Sequence, residues 1–349
     1  MLFESVALND AAFLPCDATN DLLRSLCLQH KDRACFREIG KSEQGRPINA
    51  IILGKGSQRV TLMAGAHSDE PVGSQTLRIL ISELLANESQ YSELLNTFQF
   101  AVIPHINPDG EARNWQWIAQ WPALEPCLLH AFREPPGRDL EFGFPDMRTE
   151  NSCVAAFLAE NAPIALHMSL HGMGYSEGAM LLIEKDWIPH TNALRDSFTV
   201  AAKNAGLQLH DHNRRGEKGF IYIAPGFTTT PRSTEMKKFF KAAGDQKMVE
   251  LFHQSSMEYV KSLGGNPLCL VTEMPLFLIK ADPEEGNGMP AAYLRFREMK
   301  PVLMSRLMQG KDISEEIRPF KIRPLSLEKA IQLQLAALSG GLKCVRDRR

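Results

Sequence analysis

Short apolar runs alternate along the chain with longer stretches whose apolar positions recur every three or four residues. That pattern predicts strands interleaved with helices. RVTLMAGAH (59–67), FQFAVIPHI (98–106), APIALHMSLHG (162–172), AMLLIE (179–184) and PLCLVTEMP (267–275) read as buried strands, the second halted by the turn sequence NPDG. ACFREIGKSEQGRPINAIILG holds two strand-like runs about the polar, Gly-containing KSEQG, the signature of a hairpin. Beyond Pro71, Val72, Leu77, Leu80, Ile81, Leu84 and Leu85 fall near helical spacing. The opening stretch to about residue 30 reads helical, strongest at DLLRSLCLQH, as does the tail from about 290, where SLEKAIQLQLAALSGG ends at a Gly pair. Strands alternating with helices predict an α/β fold with a mixed, largely parallel sheet covered on both faces.

In such sheets functional groups gather beyond the carboxyl ends of strands. His67, Asn107, His171 and Glu273 each stop an apolar run, and this is the strongest pattern in the chain. His67 and Glu70, three residues apart in GAHSDEP, can converge on one ion from a turn leaving a strand. An HxxE match is common by chance; its place between a buried strand and an amphipathic helix gives it weight. His167 and His171 would lie on one face of a strand but about 13 Å apart, too far to share an ion. The helix-breaking HGMG favours the strand and makes His171, at its end, the better ligand, with His167 a core histidine. Two imidazoles and a carboxylate with an open fourth position are a catalytic zinc set. Glu273, closing the last apolar strand, could act as general base toward an activated water.

Composition narrows the field. A formal charge of -2, with no basic block, gives no reason to expect nucleic acid or an anionic membrane as partner. No apolar run approaches the roughly 18 residues of a membrane span. The opening MLFESVALNDAAFLPCD lacks the basic and apolar regions of a secretory signal. Seven scattered cysteines without CxxC pairs read as reduced thiols, so the expected location is cytoplasmic. The sequence holds no HExxH helix motif.

Over roughly residues 33 to 280 these motifs together resemble the zinc carboxypeptidase family of the carboxypeptidase A type. IGKSEQGRPINAIILG looks like its opening hairpin, GAHSDEPVGS like its first metal segment and HINPDGEARN like its Asn-Pro-Asp-Gly turn. SLHGMG is similar to the third-ligand strand and SSMEYVKSLGGNPLCLVTEMP to the segment ending in the catalytic glutamate. The resemblance implies zinc on His67, Glu70 and His171, Glu273 as base and then acid, and a mixed, mainly eight-stranded sheet between helices. With the helical ends read from the apolar pattern, three parts are expected: an N-terminal helical segment (1–32), a zinc carboxypeptidase-like catalytic domain (33–285) and a helical C-terminal extension (286–349).

GRDLEFGFPDM is similar to the family's Gly-Val-Asp-x-Asn-Arg-Asn-Phe segment, with one departure. Asp139 matches the Asp that supports the first ligand histidine. Where the family holds a substrate carboxylate with Asn-Arg, this chain has Glu141 and Phe142. Glu141 is therefore expected in the substrate pocket, repelling a carboxylate or attracting an ammonium. Arg113, just after NPDG, is the expected positive group for substrate or oxyanion, with Arg133 and Arg138 as competitors. No substrate-capping Tyr is assigned. The expected substrate is a peptide or acyl-amide. Two alternatives compete: an N-acyl amino acid deacylase of the aspartoacylase or succinylglutamate desuccinylase kind, whose β-rich C-terminal domain the helical tail here does not match, and a zinc-binding protein without turnover.

Overall fold

The structure, a computed structural model, describes residues 2–8, 11–210, 217–280 and 290–348. The boundary expected at 285/286 lies outside them. In chain order the strands are β1 (Ala34–Lys41), β2 (Pro47–Leu53), β3 (Gln58–Ala64), β4 (Phe98–Ile103), β5 (Ile164–Ser176), β6 (Gly178–Ile183), β7 (Gln208–Leu209), β8 (Tyr222–Ala224), β9 (Phe227–Thr229), β10 (Leu268–Leu278) and β11 (Arg323–Pro324). They form one mixed sheet in the order β1-β2-β4-β3-β5-β10-β6-β9-β8, with β11 added to β10 and β7 to β6. The centre, β4-β3-β5-β10, is parallel, while β2 and β6 join it antiparallel and β1 pairs antiparallel with β2. The sheet thus carries more strands than the expected eight, because short polar-flanked pieces such as β8 and β9 extend its edge.

The central strands are buried on both faces, and their alternation divides the core. Val60, Leu62 and Ala64 of β3 with Phe100 and Val102 of β4 face one side. There they meet Leu77, Leu80, Ile81 and Leu84 of the helix Val72–Ala86 and Ile331, Leu335 and Leu338 of the helix Leu327–Asp347. Met63, Ala101 and Ile103 face the other, under Val154, Phe157 and Leu158 of the helix Thr149–Glu160 and Val260 of the helix Ser256–Ser262. Period-two burial on strands meeting period-3.6 burial on helices is what a doubly covered sheet requires. The last helix is part of this core. Its buried Gln334 donates to the carbonyl of His171 and to Thr272 Oγ1, both at 3.2 Å, and accepts from Thr76.

The hairpin and the NPDG turn are held together. β1 and β2 pair antiparallel about a tight turn at Gly45, which takes a φ of +81°. Asp109 accepts from Ser42 Oγ at 2.7 Å, the Gln44 amide at 3.0 Å and Arg46 at 2.8 Å. Asn107 caps the helix Pro108–Ile118 by accepting from the Gly110 amide at 3.0 Å. Two of the sequence motifs are therefore one structural clasp. Among the described residues no helix is long and apolar enough to cross a membrane.

Candidate metal centre and cleft

The loop after β3 carries the first two groups. Gly65 turns the chain with a φ of +76°, a conformation glycine adopts without strain. A turn closed by the Glu70 amide donating to the His67 carbonyl at 3.2 Å then brings both side chains to one side. His171 and Glu273 come from β5 and β10, where they are register partners on adjacent parallel strands. Both were expected at strand ends. Instead β5 runs on to Ser176 and β10 to Leu278. Gly172, read as a stop, stays in the strand and leaves room for Glu70. Its amide donates to Glu70 Oε2 at 3.0 Å, and a Cβ there would meet the Met274 carbonyl at 2.9 Å.

His67, Glu70 and His171 converge so closely that one ligand atom from each lies within 4.8 Å of the others. The two Nδ1 atoms are 3.0 Å apart. Glu70 places Oε1 3.1 Å from His67 Nδ1 and Oε2 2.9 Å from His171 Nδ1. On the far side of each ring a carboxylate faces Nε2: Asp139 at 3.2 Å for His67, Glu141 at 2.9 Å for His171. A proton on each Nε2 leaves both Nδ1 atoms as acceptors beside a carboxylate. Such convergent acceptors repel unless a cation sits among them, so this set fits a divalent metal ion. Part of that positive charge comes from Arg133, which pairs with Glu70 and with Asp69 at 2.8 Å and lies 3.2 Å from His67 Nδ1.

Charge and burial tune these groups. Burial pushes the Glu273 carboxyl up to about 8, reinforced by the negative charge of Glu70. Burial works against a charged His171, but hydrogen bonding to Glu141 and Glu70 outweighs it and lifts the ring to about 9. His167 is different: burial lowers it to about 4. It is fully enclosed between Thr61 Oγ1 at 2.8 Å and Ser256 Oγ at 3.2 Å, away from the metal set.

Two expected substrate groups lie elsewhere. Glu141 does not face the cleft. It is buried, accepts from the Ser256 amide at 3.0 Å and hydroxyl at 2.6 Å and from Ser169 at 3.0 Å, and so is turned inward onto His171. Arg113 is exposed on the helix Pro108–Ile118 with its guanidinium 3.4 Å from the Phe132 ring centre, while Arg133 reaches the site. Arg133 lines a cleft of about 350 Å³ with Glu70 and Glu273. The opposite wall comes from Tyr293, Phe296, Arg297 and Lys300 of the helix Ala291–Met308. None of these four was singled out from the sequence. Their i, i+3, i+4, i+7 spacing marks one helical face but not what that face meets.

A family model described as zinc carboxypeptidase matches residues 19–157. Over that stretch the chain is similar to the zinc carboxypeptidase family. His67, Glu70, Asp139 and Glu141 fall inside the match; His171 and Glu273 lie beyond it. Carboxypeptidase B of Astacus astacus is 31% identical over 99 residues, covering 28% of this chain and 33% of that protein. An inactive metallocarboxypeptidase of Ajellomyces capsulatus is 30% identical over 109 residues, 28% of this chain and 18% of that one. The matched stretch thus spans a third or less of these two relatives. The fold match reaches further: carboxypeptidase A from Helicoverpa armigera superimposes with a TM-score of 0.54 at 12% identity, covering 98% of this chain and 79% of that one.

Proposed function

We propose that this chain is a zinc-dependent hydrolase of the metallocarboxypeptidase type that cleaves a peptide or related amide bond. The observation that carries the reading is the convergence of His67 Nδ1, Glu70 and His171 Nδ1 beside a half-buried Glu273 in an open cleft. His67, Glu70 and His171 would hold the ion, a nitrogen and oxygen donor set that suits zinc and leaves a position free. Bound zinc supplies Lewis acidity toward the scissile carbonyl and toward water. Glu273 takes the proton of the attacking water and returns it to the leaving amine nitrogen. Burial and the neighbouring Glu70 favour the protonated carboxyl that Glu273 becomes on taking that proton. Arg133, fixed by Asp69 and Glu70, presents a cation to the oxyanion that develops on the carbonyl. Asp139 and Glu141 set the tautomer and orientation of the two imidazoles.

A zinc-binding role without turnover is the second reading. It is favoured by the replacement of the family's Asn-Arg pair with Glu141 and Phe142 and by the likeness to an inactive relative. Glu273→Gln separates the two. The hydrolase reading predicts unchanged zinc content with turnover of acyl-peptides reduced at least about 10³-fold. Near-normal turnover in that variant, or none in the parent across a panel of peptides and amides, contradicts it. Seven unpaired cysteines support a reducing compartment, and we place the protein in the cytoplasm on that ground.

A further inference from the structure

The loop that carries Glu141 and Phe142 offers no cation to a substrate anion. Phe142 packs edge-on against Phe252 with ring centres 5.2 Å apart, and Glu141 is turned inward. The neighbouring arginines are occupied: Arg138 by Glu43, and Arg148 by Glu150 at 2.8 Å and Glu43 at 3.3 Å. Arg133, paired with Asp69 and Glu70, serves the oxyanion at the scissile carbonyl in the proposed mechanism, which leaves a second substrate anion without a partner there.

The helix Ala291–Met308 supplies what the loop lacks. Phe296 is its anchor, buried with its ring centre 4.7 Å from that of Tyr175 and 5.2 Å from that of Phe320. With Phe296 seated, Arg297 and Lys300 fall on the cleft wall, one residue and one turn further along the same face. Lys300 Nζ stands 5.6 Å above the Tyr175 ring. Among the described residues neither Arg297 nor Lys300 has a carboxylate partner, unlike the arginines of the loop and the metal site. Two uncommitted cations on one wall of a cleft whose floor holds Glu70 and Glu273 form a place for a substrate anion.

We propose that Arg297 and Lys300 bind a carboxylate of the peptide substrate, so that anion recognition has moved from the catalytic-domain loop to the C-terminal helix. This rests on the hydrolase reading for the identity of the ligand. The carboxylate can come from the peptide's C-terminus or from an acidic side chain beside the scissile bond.

The test is calorimetric titration of the zinc-loaded Glu273→Gln chain, which binds without turnover. Three acyl-dipeptides serve as probes: one with a free C-terminus, its C-terminal amide, and an amide carrying an Asp side chain. At least one carboxylate-bearing probe should bind about 10-fold or more tighter than the uncharged amide. Arg297→Ala combined with Lys300→Met should erase that preference and leave the uncharged amide unaffected. Which of the two acids is preferred assigns the source of the carboxylate. The proposal is overturned if the uncharged amide binds as tightly as both acids, if nothing binds, or if the double variant keeps the preference with an unchanged melting temperature. A double variant with a lowered melting temperature is replaced by Arg297→Gln alone, at an exposed position, with the same two outcomes. Selective binding of the acids by a parent that hydrolyses none of them defeats the hydrolase reading and leaves the anion site standing.

Discussion

Glu141 Oε2 lies 2.9 Å from His171 Nε2, on the side of the ring away from the Nδ1 that faces His67 and Glu70. A residue expected in a substrate pocket is here turned inward onto the ring of His171. Ser256 and Ser169 hold it, and a hydrogen-bonded chain runs from His167 through Ser256 to Glu141 and His171. Burial opposes charge on Glu141, yet its bonds with His171 and Ser256 keep the carboxyl below its usual range. It is therefore ionised at neutral pH and raises the basicity of His171.

Glu141→Gln should retain the fold and the contact with Ser256 while removing that charge. Zinc affinity, measured by competition with a chromogenic chelator, should fall about 10- to 100-fold. An unchanged affinity would show that Glu141 does not act through His171.

The two histidines of β5 should separate cleanly. His171→Ala should lose stoichiometric metal. His167→Ala should keep it and lose roughly 2–4 kcal/mol of stability, because it empties an enclosed site and strands Thr61 Oγ1. Metal analysis with urea denaturation of both variants checks this. Metal loss in His167→Ala alone reverses the assignment.

Stability should also depend on pH at a point remote from the cleft. Burial raises the Glu111 carboxyl from 4.5 to about 7, with Asp17 adding to the shift. The folded state favours the protonated form, so this contribution is fully present below about 4.5 and is lost as pH rises through about 7. Glu111→Gln keeps an acceptor for the Cys16 amide, which Glu111 now receives at 3.3 Å. The variant should match the parent near pH 5 and exceed it at pH 8 by on the order of 2 kcal/mol. Thermal unfolding at the two pH values decides it; an equal difference at both contradicts the assignment.

Much of the fold was legible because the core strands advertise themselves. The β1–β2 hairpin, β3, β4 and the helix Val72–Ala86 follow directly from period-two and period-3.6 burial. What misled was local punctuation. Gly172 and Pro275 read as stops, yet β5 and β10 continue through both, since Gly172 serves the approach of Glu70. The grouping of His67, Glu70 and His171 could be read because each stands near the end of an apolar run. Arg133 and Arg113 could not be ranked, because only the tertiary contact with Asp69 draws one into the site. The orientation of Glu141 depends on Ser256, 115 residues away. The cleft wall of Tyr293, Arg297 and Lys300 depends on where Phe296 docks, a long-range packing event without a local signature.

The most direct measurement is metal stoichiometry. The purified chain, loaded with zinc, desalted and analysed by mass spectrometry of its metal content, should hold one zinc ion per chain. His67→Ala and His171→Ala, treated identically and folded by circular dichroism, should hold close to none. A parent chain that retains no stoichiometric zinc, or variants that retain as much as the parent, would contradict the account.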